Sequence, residues 1–100
     1  SDDQAFPVLV EGELAGLVTL DDVRRVPREA WGSVTVREIM TPAARLIIAA
    51  PDDQASAALE SLAQHDVRQL PVMANGQLVG LFRRSDVVKW LQWQSGSASS

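Results

Sequence analysis

An internal repeat constrains the fold of this chain more than any other feature of its sequence. When the 100-residue sequence is shifted by 64 positions, residues 7–23 (PVLVEGELAGLVTLDDV) align without a gap with residues 71–87 (PVMANGQLVGLFRRSDV), and eight of the 17 positions are identical. The identical positions include both glycines and the final Asp-Val pair. Because a duplicated segment keeps the hydrophobic pattern and the turn residues that made it fold, the repeat predicts two copies of one supersecondary unit.

Each copy has the pattern of a β-hairpin followed by a helix. Two apolar runs flank a two-residue turn, which is Glu11-Gly12 in the first copy and Asn75-Gly76 in the second. Asn-Gly is the preferred pair for a hairpin turn in which both central residues have a positive φ. A glycine also lies inside the second strand of each copy, where it is typical of a bulge or of close approach by another backbone: Gly16 and Gly80.

The segment between the copies occurs only once. Residues 45–50 (RLIIAA) predict a short buried strand, and the following Pro51-Asp52-Asp53 predicts the start of a helix with an Asp as N-cap. An amphipathic helix is then predicted to end near residues 64–66, because its apolar residues recur at i, i+3, i+4, i+7 and i+8: Ala55, Ala58, Leu59, Leu62 and Ala63. The order in the second copy is therefore strand, helix, strand, strand, helix, with the last helix over residues 85–93.

We predict from this order an α+β (α/β) chain with two unequal repeats. Residues 1–32 form a partial first repeat, which lacks the opening strand and helix and whose helix over residues 22–31 is broken near Pro27, because proline disrupts a helix interior. Residues 33–40 are a connector and residues 41–94 a complete second repeat. Residues 95–100 contain only Ser, Gly and Ala and predict a disordered tail.

The composition narrows the possible functions. A formal charge of −4 disfavours a nucleic acid partner, and the absence of cysteine excludes disulfides and thiolate chemistry. His65 is the only histidine, so a metal site would depend on carboxylates, and no catalytic Ser–His–Asp arrangement or phosphate-binding glycine loop is present. No apolar run approaches about 18 residues. We therefore expect no catalytic residue, no metal site and no direct membrane insertion in these residues.

The repeated segments resemble a known family. Residues 6–23 (FPVLVEGELAGLVTLDDV) and 70–87 (LPVMANGQLVGLFRRSDV) resemble the CBS domain, and the lead-in VREIMTP at residues 36–42 resembles the usual opening of a second CBS repeat. The resemblance covers residues 4–93. It implies a tandem CBS pair, or Bateman module, in which each repeat has a small three-stranded mixed sheet and two helices and the repeats are related by a pseudo-twofold axis.

The resemblance also implies a function. CBS pairs commonly form homodimers, bind adenosine-containing ligands in the clefts between their repeats, and regulate an attached protein. The leading hypothesis is therefore a regulatory module that senses AMP, ADP, ATP or S-adenosylmethionine. The alternative is a ligand-free dimerisation or scaffold module of a larger enzyme or transporter.

The linker gives a narrower resemblance. Residues 19–42 are similar to the CBS segment attached to bacterial site-2-protease-type zinc metallopeptidases, although no HExxH motif occurs in this chain. This resemblance implies that the partner is the catalytic domain of a membrane-embedded parent, which would itself hold the zinc. It also implies a cytoplasmic module that is tethered to the membrane through that parent.

The family resemblance implies particular ligand-binding residues. In nucleotide-binding CBS clefts, a Ser or Thr lies three residues before an Asp that accepts hydrogen bonds from the ribose hydroxyls. Thr19 and Asp22 keep this spacing in the first repeat, whereas the second repeat keeps Asp86 but has Arg83 at the hydroxyl position. Arg83 is expected to pair with a phosphate or to fill the cleft itself. Helix capping is the competing interpretation of both aspartates.

A second wall of the site is implied over residues 41–46 and 68–71. Its candidate ligand contacts are Thr41, Leu46, Arg68, Leu70 and Pro71. The competing interpretation places Leu46 and Leu70 in the core. Because this wall belongs to the second repeat, we expect the cleft of the first repeat to lack its wall and only one cleft to be complete. The tryptophans Trp31, Trp90 and Trp93 are expected either to cover the core or to form a dimer interface.

Overall fold

A computed structural model describes residues 4–98 of the chain, with the side chains of residues 4–93. This part of the chain contains nine strands and α-helices: β1 (Ala5–Val10), β2 (Glu13–Thr19), α1 (Leu20–Arg24), α2 (Val36–Ile39), β3 (Thr41–Pro42), α3 (Ala55–Gln64), β4 (Gln69–Ala74), β5 (Gln77–Arg83) and α4 (Arg84–Ala98). Single 3₁₀ turns lie at Arg28–Ala30 and Ala43–Arg45. The predicted mixed α+β class is confirmed.

The two hairpins are duplicates down to the pairing register. Ala5 lies opposite Thr19 in the first hairpin, and Gln69 lies opposite Arg83 in the second, each 64 positions later. A bulge follows the fourth residue of the first strand in both hairpins. The turn residues have φ angles of 53° and 83° in the first copy and of 53° and 78° in the second, the left-handed geometry that such tight turns require. The predicted duplication is therefore confirmed in the backbone.

The two strand glycines have different surroundings. A Cβ atom added at Gly16 would overlap the carbonyl oxygen of Thr41 and would lie 2.8 Å from Met40 Sδ, because β3 pairs with β2 at this point. A Cβ atom added at Gly80 would meet nothing within 4 Å in the described part of the chain. Close backbone approach is confirmed at Gly16, whereas Gly80 fits the other expected setting of such a glycine, because it pairs with Val72 beside the bulge of the second hairpin.

The predicted strand over residues 45–50 does not form. In this segment Ala49 makes an isolated parallel bridge to Val72, donating from its N–H to the Pro71 carbonyl at 2.9 Å and accepting from the Met73 N–H at 2.8 Å. The apolar run instead serves packing, because Ala49 is buried in the core and Ile47 packs against it. The prediction of a continuous strand over residues 45–50 is therefore wrong.

Helix α3 carries the predicted apolar stripe but begins differently. Its N-cap is Gln54, which makes no side-chain capping hydrogen bond. The predicted Asp N-cap is wrong, because Asp53 Oδ2 accepts from the Ala50 N–H at 2.9 Å and so closes the preceding turn. Ala58 and Leu62 of the stripe are buried, and they form the core cluster with two residues from elsewhere in the second repeat: Ala49 and Leu70.

The other helix boundaries also differ from the prediction. Helix α1 ends at Arg24, and the 3₁₀ turn begins after Pro27, so the predicted break is confirmed. The expected connector contains the short helix α2. Helix α4 continues to Ala98, so residues 95–98 of the predicted disordered tail are helical, and residues 99–100 lie outside the described residues.

The hairpins belong to two separate sheets that meet. The first sheet has the order β1-β2-β3, and the second consists of β4 and β5. Strand β2 contacts β5, so the second strands of the two hairpins lie against each other. Because β3 opens the second repeat and yet pairs with β2 of the first, the start of the second repeat is held against the first. This crossing forms one side of the cleft between the repeats.

Candidate functional site

A cavity of about 400 Å³ lies where the two repeats meet. Its volume is within the range of small-molecule sites, roughly 300–1,000 Å³. The first repeat lines it with the end of β2 and with α1, and the second repeat lines it with the segment after β3 and with the residues that lead into β4. The lining residues are Leu17, Thr19, Asp21, Asp22, Arg25, Thr41, Arg45, Leu46, Ile47, Asp66, Val67, Arg68 and Gln69.

Thr19 and Asp22 are fixed by each other at the rim of this cavity. The Thr19 N–H donates to Asp22 Oδ2 at 2.9 Å, and Thr19 Oγ1 accepts from the Asp22 N–H at 3.2 Å. This is a reciprocal capping box at the start of α1. The capping interpretation of Asp22 is therefore confirmed. It does not exclude a ligand role, because a carboxylate has about four acceptor positions and the box uses one of them.

The charged side chains of the cavity are balanced. Three arginines and three aspartates line it, and Arg25 Nη1 lies 3.4 Å from Asp22 Oδ1. Asp21 is held by Arg24 at 3.3 Å. The side chain of Asp22 is only 14% exposed, so its carboxylate is the most shielded of these ion-pair members. Leu17, Leu46 and Ile47 add apolar surface, so the cavity combines acceptors, donors and a hydrophobic wall.

The structure brings together five of the nine predicted ligand-binding residues. Thr19, Asp22, Thr41, Leu46 and Arg68 all line the cavity. Leu70 and Pro71 do not line it, and the side chains of both are fully buried. The interpretation of Leu70 as core is thus confirmed, whereas the same interpretation of Leu46 is not, since Leu46 is half-buried at the cavity wall.

The wall belongs to the opposite cleft from the one expected. Residues 41–46 and Arg68 face the Thr19–Asp22 pair of the first repeat, which was expected to lack a wall. The reason is the pairing of β3 with β2, with Thr41 opposite Leu17, which carries the entrance of the second repeat across to the first. The complete cleft is therefore the one that keeps the Thr and Asp.

Arg83 and Asp86 lie in a different place and bind each other. Arg83 Nε and Nη2 lie 2.8 Å and 3.1 Å from the two oxygens of Asp86, a bidentate ion pair. They line a largely apolar depression of about 310 Å³ together with residues of α3, β5 and α4: Ala55, Leu59, Leu81, Phe82, Val87 and Trp90. The guanidinium thus occupies the carboxylate that corresponds to Asp22.

Sequence reasoning missed several cavity residues. Arg25 and Asp66 line the cavity without having been predicted, and Arg45 and Gln69 lie within the predicted wall over residues 41–46 and 68–71 but were not named as ligand contacts. The spacing of Arg25 three residues after Asp22 was a usable signal for an ion pair. No local pattern marks the other three, because their place depends on how the connector packs between the repeats.

Two further observations concern metal-binding groups and membrane-spanning helices among the described residues. In residues 4–98, no three His, Cys, Asp or Glu residues are grouped so that they could hold a metal ion. Across the same range, none of the helices combines the length and apolar character needed to cross a bilayer.

Comparison with known sequences decides the family. The sequence model of the CBS domain matches residues 36–92. The chain belongs to the CBS domain family. This CBS chain is 31% identical over 85 residues to the CBS domain-containing protein YhcV of Bacillus subtilis, an alignment that covers 83% of the chain and 59% of YhcV. It therefore spans about three fifths of that relative.

A second relative is a longer protein. The chain is 25% identical over 83 residues to sll0528 of Synechocystis sp., whose assignment as a zinc metalloprotease is itself a prediction. The alignment covers 82% of the chain but 22% of sll0528. The matched part is thus a small portion of the longer protein.

Solved structures confirm the fold. The CBS domain pair of MJ0100, in complex with 5′-methylthioadenosine and S-adenosyl-L-methionine, has a TM-score of 0.73 at 23% identity and covers 90% of this chain and 71% of its own. CBSX2 in complex with AMP has a TM-score of 0.73 at 23% identity and covers 91% of this chain and 72% of its own. At these identities the comparison establishes the CBS pair fold.

Proposed function

We propose that this CBS chain is a regulatory module that binds an adenosine-containing ligand, such as AMP, ADP, ATP or S-adenosylmethionine, between its repeats. The observation that carries the proposal is the cavity of about 400 Å³ that places Thr19 and Asp22 opposite a wall from the second repeat. The adenosine compounds held by two solved CBS proteins of the same fold support the ligand class.

The side chains around the cavity suit the parts of such a ligand. Asp22, already oriented by its capping box, accepts hydrogen bonds from the ribose hydroxyls, and charge-assisted hydrogen bonds of this kind are strong. Leu46 and Ile47 provide apolar surface for the base, and Arg68 lies in the same wall to attract a phosphate or carboxylate. Thr41 supplies a further polar group.

The position of the cavity suits regulation. A ligand that touches both repeats stabilises the arrangement of repeats in which all its contacts are made, and it shifts the population toward that arrangement. An attached domain that fits only one arrangement would respond to the ligand. We propose a membrane-bound zinc metalloprotease as the attached domain, on the basis of the linker and of the similarity to sll0528.

Calorimetry tests ligand binding directly. The chain is titrated with AMP, ADP, ATP and S-adenosylmethionine, first unaltered and then as Asp22→Ala and Asp52→Ala variants. Asp52 is an exposed aspartate that does not line the cavity, so it is the matched control. We expect binding of at least one compound, weakened about tenfold or more by Asp22→Ala alone. Absence of heat with all four compounds would contradict the proposal.

The attached domain is tested in the longer protein. The sequence upstream of this chain should encode several membrane spans and an HExxH motif. Proteolysis by that protein should change when the ligand found by calorimetry is added. An upstream sequence without such a motif would remove the metalloprotease from the proposal and leave the ligand site untouched.

A ligand-free dimerisation or scaffold module is the second candidate. The bidentate pair of Arg83 and Asp86 favours it, because the acceptor that corresponds to Asp22 is already occupied. An Arg83→Thr substitution restores the Thr-x-x-Asp spacing of the first repeat. A new heat of binding in this variant would favour a degenerate sensor over a scaffold, whereas unchanged binding would favour the scaffold for this half of the module.

A further inference from the structure

The segment between α1 and β3 connects the two sides of the cavity, and we call it, over residues 25–40, the strap. Directly before the strap, α1 carries Asp22, and directly after it, β3 carries Thr41. Both residues line the cavity, Asp22 on the side of the first repeat and Thr41 on the side of the second. Because the strap is the covalent connection between them, its conformation restricts how α1 and β3 can lie relative to each other.

Trp31 closes the strap at the point where proline interrupts it. In a continuous helix the Val26 carbonyl would accept from the N–H of Ala30, but that N–H donates to the Pro27 carbonyl at 2.8 Å. The indole Nε1 of Trp31 donates to the Val26 carbonyl instead, at 3.0 Å. The Arg28 guanidinium lies 5.4 Å from the centre of the Trp31 ring, within the range of a cation–π contact. Two directed contacts therefore hold this side chain across the proline turn.

The Trp31 ring also lies between the two short helices. It lines a depression of about 230 Å³ together with apolar residues of α1, α2 and the rest of the strap: Val23, Val26, Val34, Val36 and Ile39. Val23 follows Asp22 directly in α1, and Ile39 ends α2 two residues before Thr41. Trp31 does not line the ligand cavity. Its side chain is therefore placed to act on both sides of the cavity from outside it.

We propose that Trp31 is a positioning residue that couples the strap to the ligand cavity. A ligand that contacts Asp22 and Thr41 at once requires one arrangement of α1 and β3, and the contacts of Trp31 hold the strap in the conformation that provides it. Because coupling between two equilibria is reciprocal, a bound ligand must in turn stabilise the contacts of Trp31. This inference rests on the proposed adenosine site and adds to it a residue outside the cavity that responds to the ligand.

Fluorescence of Trp31 tests the coupling. The chain has three tryptophans, so a Trp90→Phe/Trp93→Phe variant leaves Trp31 as the reporter. This variant is titrated with AMP, ADP, ATP and S-adenosylmethionine, with excitation at a wavelength that adenine does not absorb. We expect the Trp31 emission to shift saturably with each compound that binds, at the midpoint that calorimetry gives for the same variant. Since Trp31 lies outside the cavity, such a shift reports the strap and not contact with the ligand.

The matched control moves the reporter to the other end of the chain. A Trp31→Phe/Trp90→Phe variant leaves Trp93, which is 67% exposed on α4 and does not line the cavity. Its emission should stay unchanged when the same compounds bind. An equal shift of the Trp93 reporter would mean that the ligand alters the whole chain, and it would overturn a specific role of the strap.

A second test removes the indole N–H and keeps an aromatic ring. Calorimetry should show that Trp31→Phe weakens the affinity for the bound compound about threefold, because part of the ligand's binding free energy must then order the strap. Trp93→Phe should leave the affinity unchanged. A purely structural role of Trp31 would lower the thermal midpoint of Trp31→Phe without changing the affinity of the folded chain.

The outcomes separate this inference from the proposed function. If a compound binds in calorimetry and the Trp31 emission does not shift, the coupling is wrong and the adenosine site stands. Equal affinities of Trp31→Phe and the unaltered chain, at a temperature where both are folded, would overturn the coupling in the same way. If none of the four compounds binds the unaltered chain, the proposed function and this inference are both wrong.

Discussion

At the scale of single residues, Thr19 has two roles that an experiment can separate. It is the N-cap of α1 and it lines the cavity, whereas Thr35 is the N-cap of α2 and lies outside the cavity. Thr19→Ala and Thr35→Ala should each lower the free energy of unfolding by about 1 kcal/mol, because each leaves a helix N–H without its acceptor. Urea denaturation of the two variants measures this loss.

Ligand binding then distinguishes the two threonines. Calorimetry with AMP should give a weaker affinity for Thr19→Ala and an unchanged affinity for Thr35→Ala. Equal affinities in the two variants would reduce Thr19 to a helix cap and would leave Asp22 as the polar contact of the first repeat.

The residues of the cavity differ in how far sequence could predict them. Thr19 and Asp22 could be predicted because they are three residues apart, and such a spacing is a local property that can be read from the sequence. Gln69 and Arg45 carry no such signal, because what makes them important is the contact between repeats and not their neighbours in the chain. Arg83 was predicted to fill its own cleft or to meet a phosphate, and its pairing with Asp86 agrees with the first alternative.

At the scale of elements, the duplicated hairpins provide their own control. Gly16→Ala should lower the free energy of unfolding by about 2 kcal/mol or more, because its Cβ would overlap the Thr41 backbone and displace β3. Gly80→Ala should be neutral or should stabilise the chain by about 0.5 kcal/mol, since the added methyl enters open space and the unfolded chain loses freedom.

Thermal denaturation of the two alanine variants checks this difference, and the cavity gives a second readout. Because β3 carries Thr41 into the cavity wall, Gly16→Ala should also weaken AMP binding, whereas Gly80→Ala should not. Similar losses of stability in both variants would mean that β5 has a neighbour at Gly80 in solution.

Elements were predictable where the local pattern is sufficient. The hairpins and α3 depend on turn residues and on apolar periodicity, and the structure has them close to their predicted positions. Residues 45–50 show the limit of this reasoning, because an apolar run satisfies a strand and a packed irregular segment equally well. Strand β3 pairs with β2 of the first sheet, and this pairing is a tertiary contact that no local sequence pattern predicts.

At the scale of the whole molecule, the CBS chain is extended and leaves much apolar surface uncovered. Its radius of gyration is 15.7 Å, compared with about 13 Å for a typical 100-residue domain. Its core cluster has four buried residues, whereas several large side chains of α4 are more than half exposed: Trp90, Leu91 and Trp93. Exposed aromatic side chains of this kind are typical of contact surfaces between proteins.

We therefore predict that the chain is a homodimer that buries this face of α4. Sedimentation velocity at tens of micromolar should give a dimer, and Trp90→Glu should give a monomer, because an ionised carboxylate is costly to bury without a partner. Leu9→Glu changes an equally exposed apolar residue on β1, with 54% of its surface accessible against 58% for Trp90, and should leave the dimer intact. Since dimerisation stabilises the folded chain by mass action, the thermal midpoint should rise with protein concentration in the unaltered chain but not in Trp90→Glu. If the unaltered chain is monomeric, the homodimer prediction is wrong, and we would expect another domain of the longer protein to cover the exposed tryptophans.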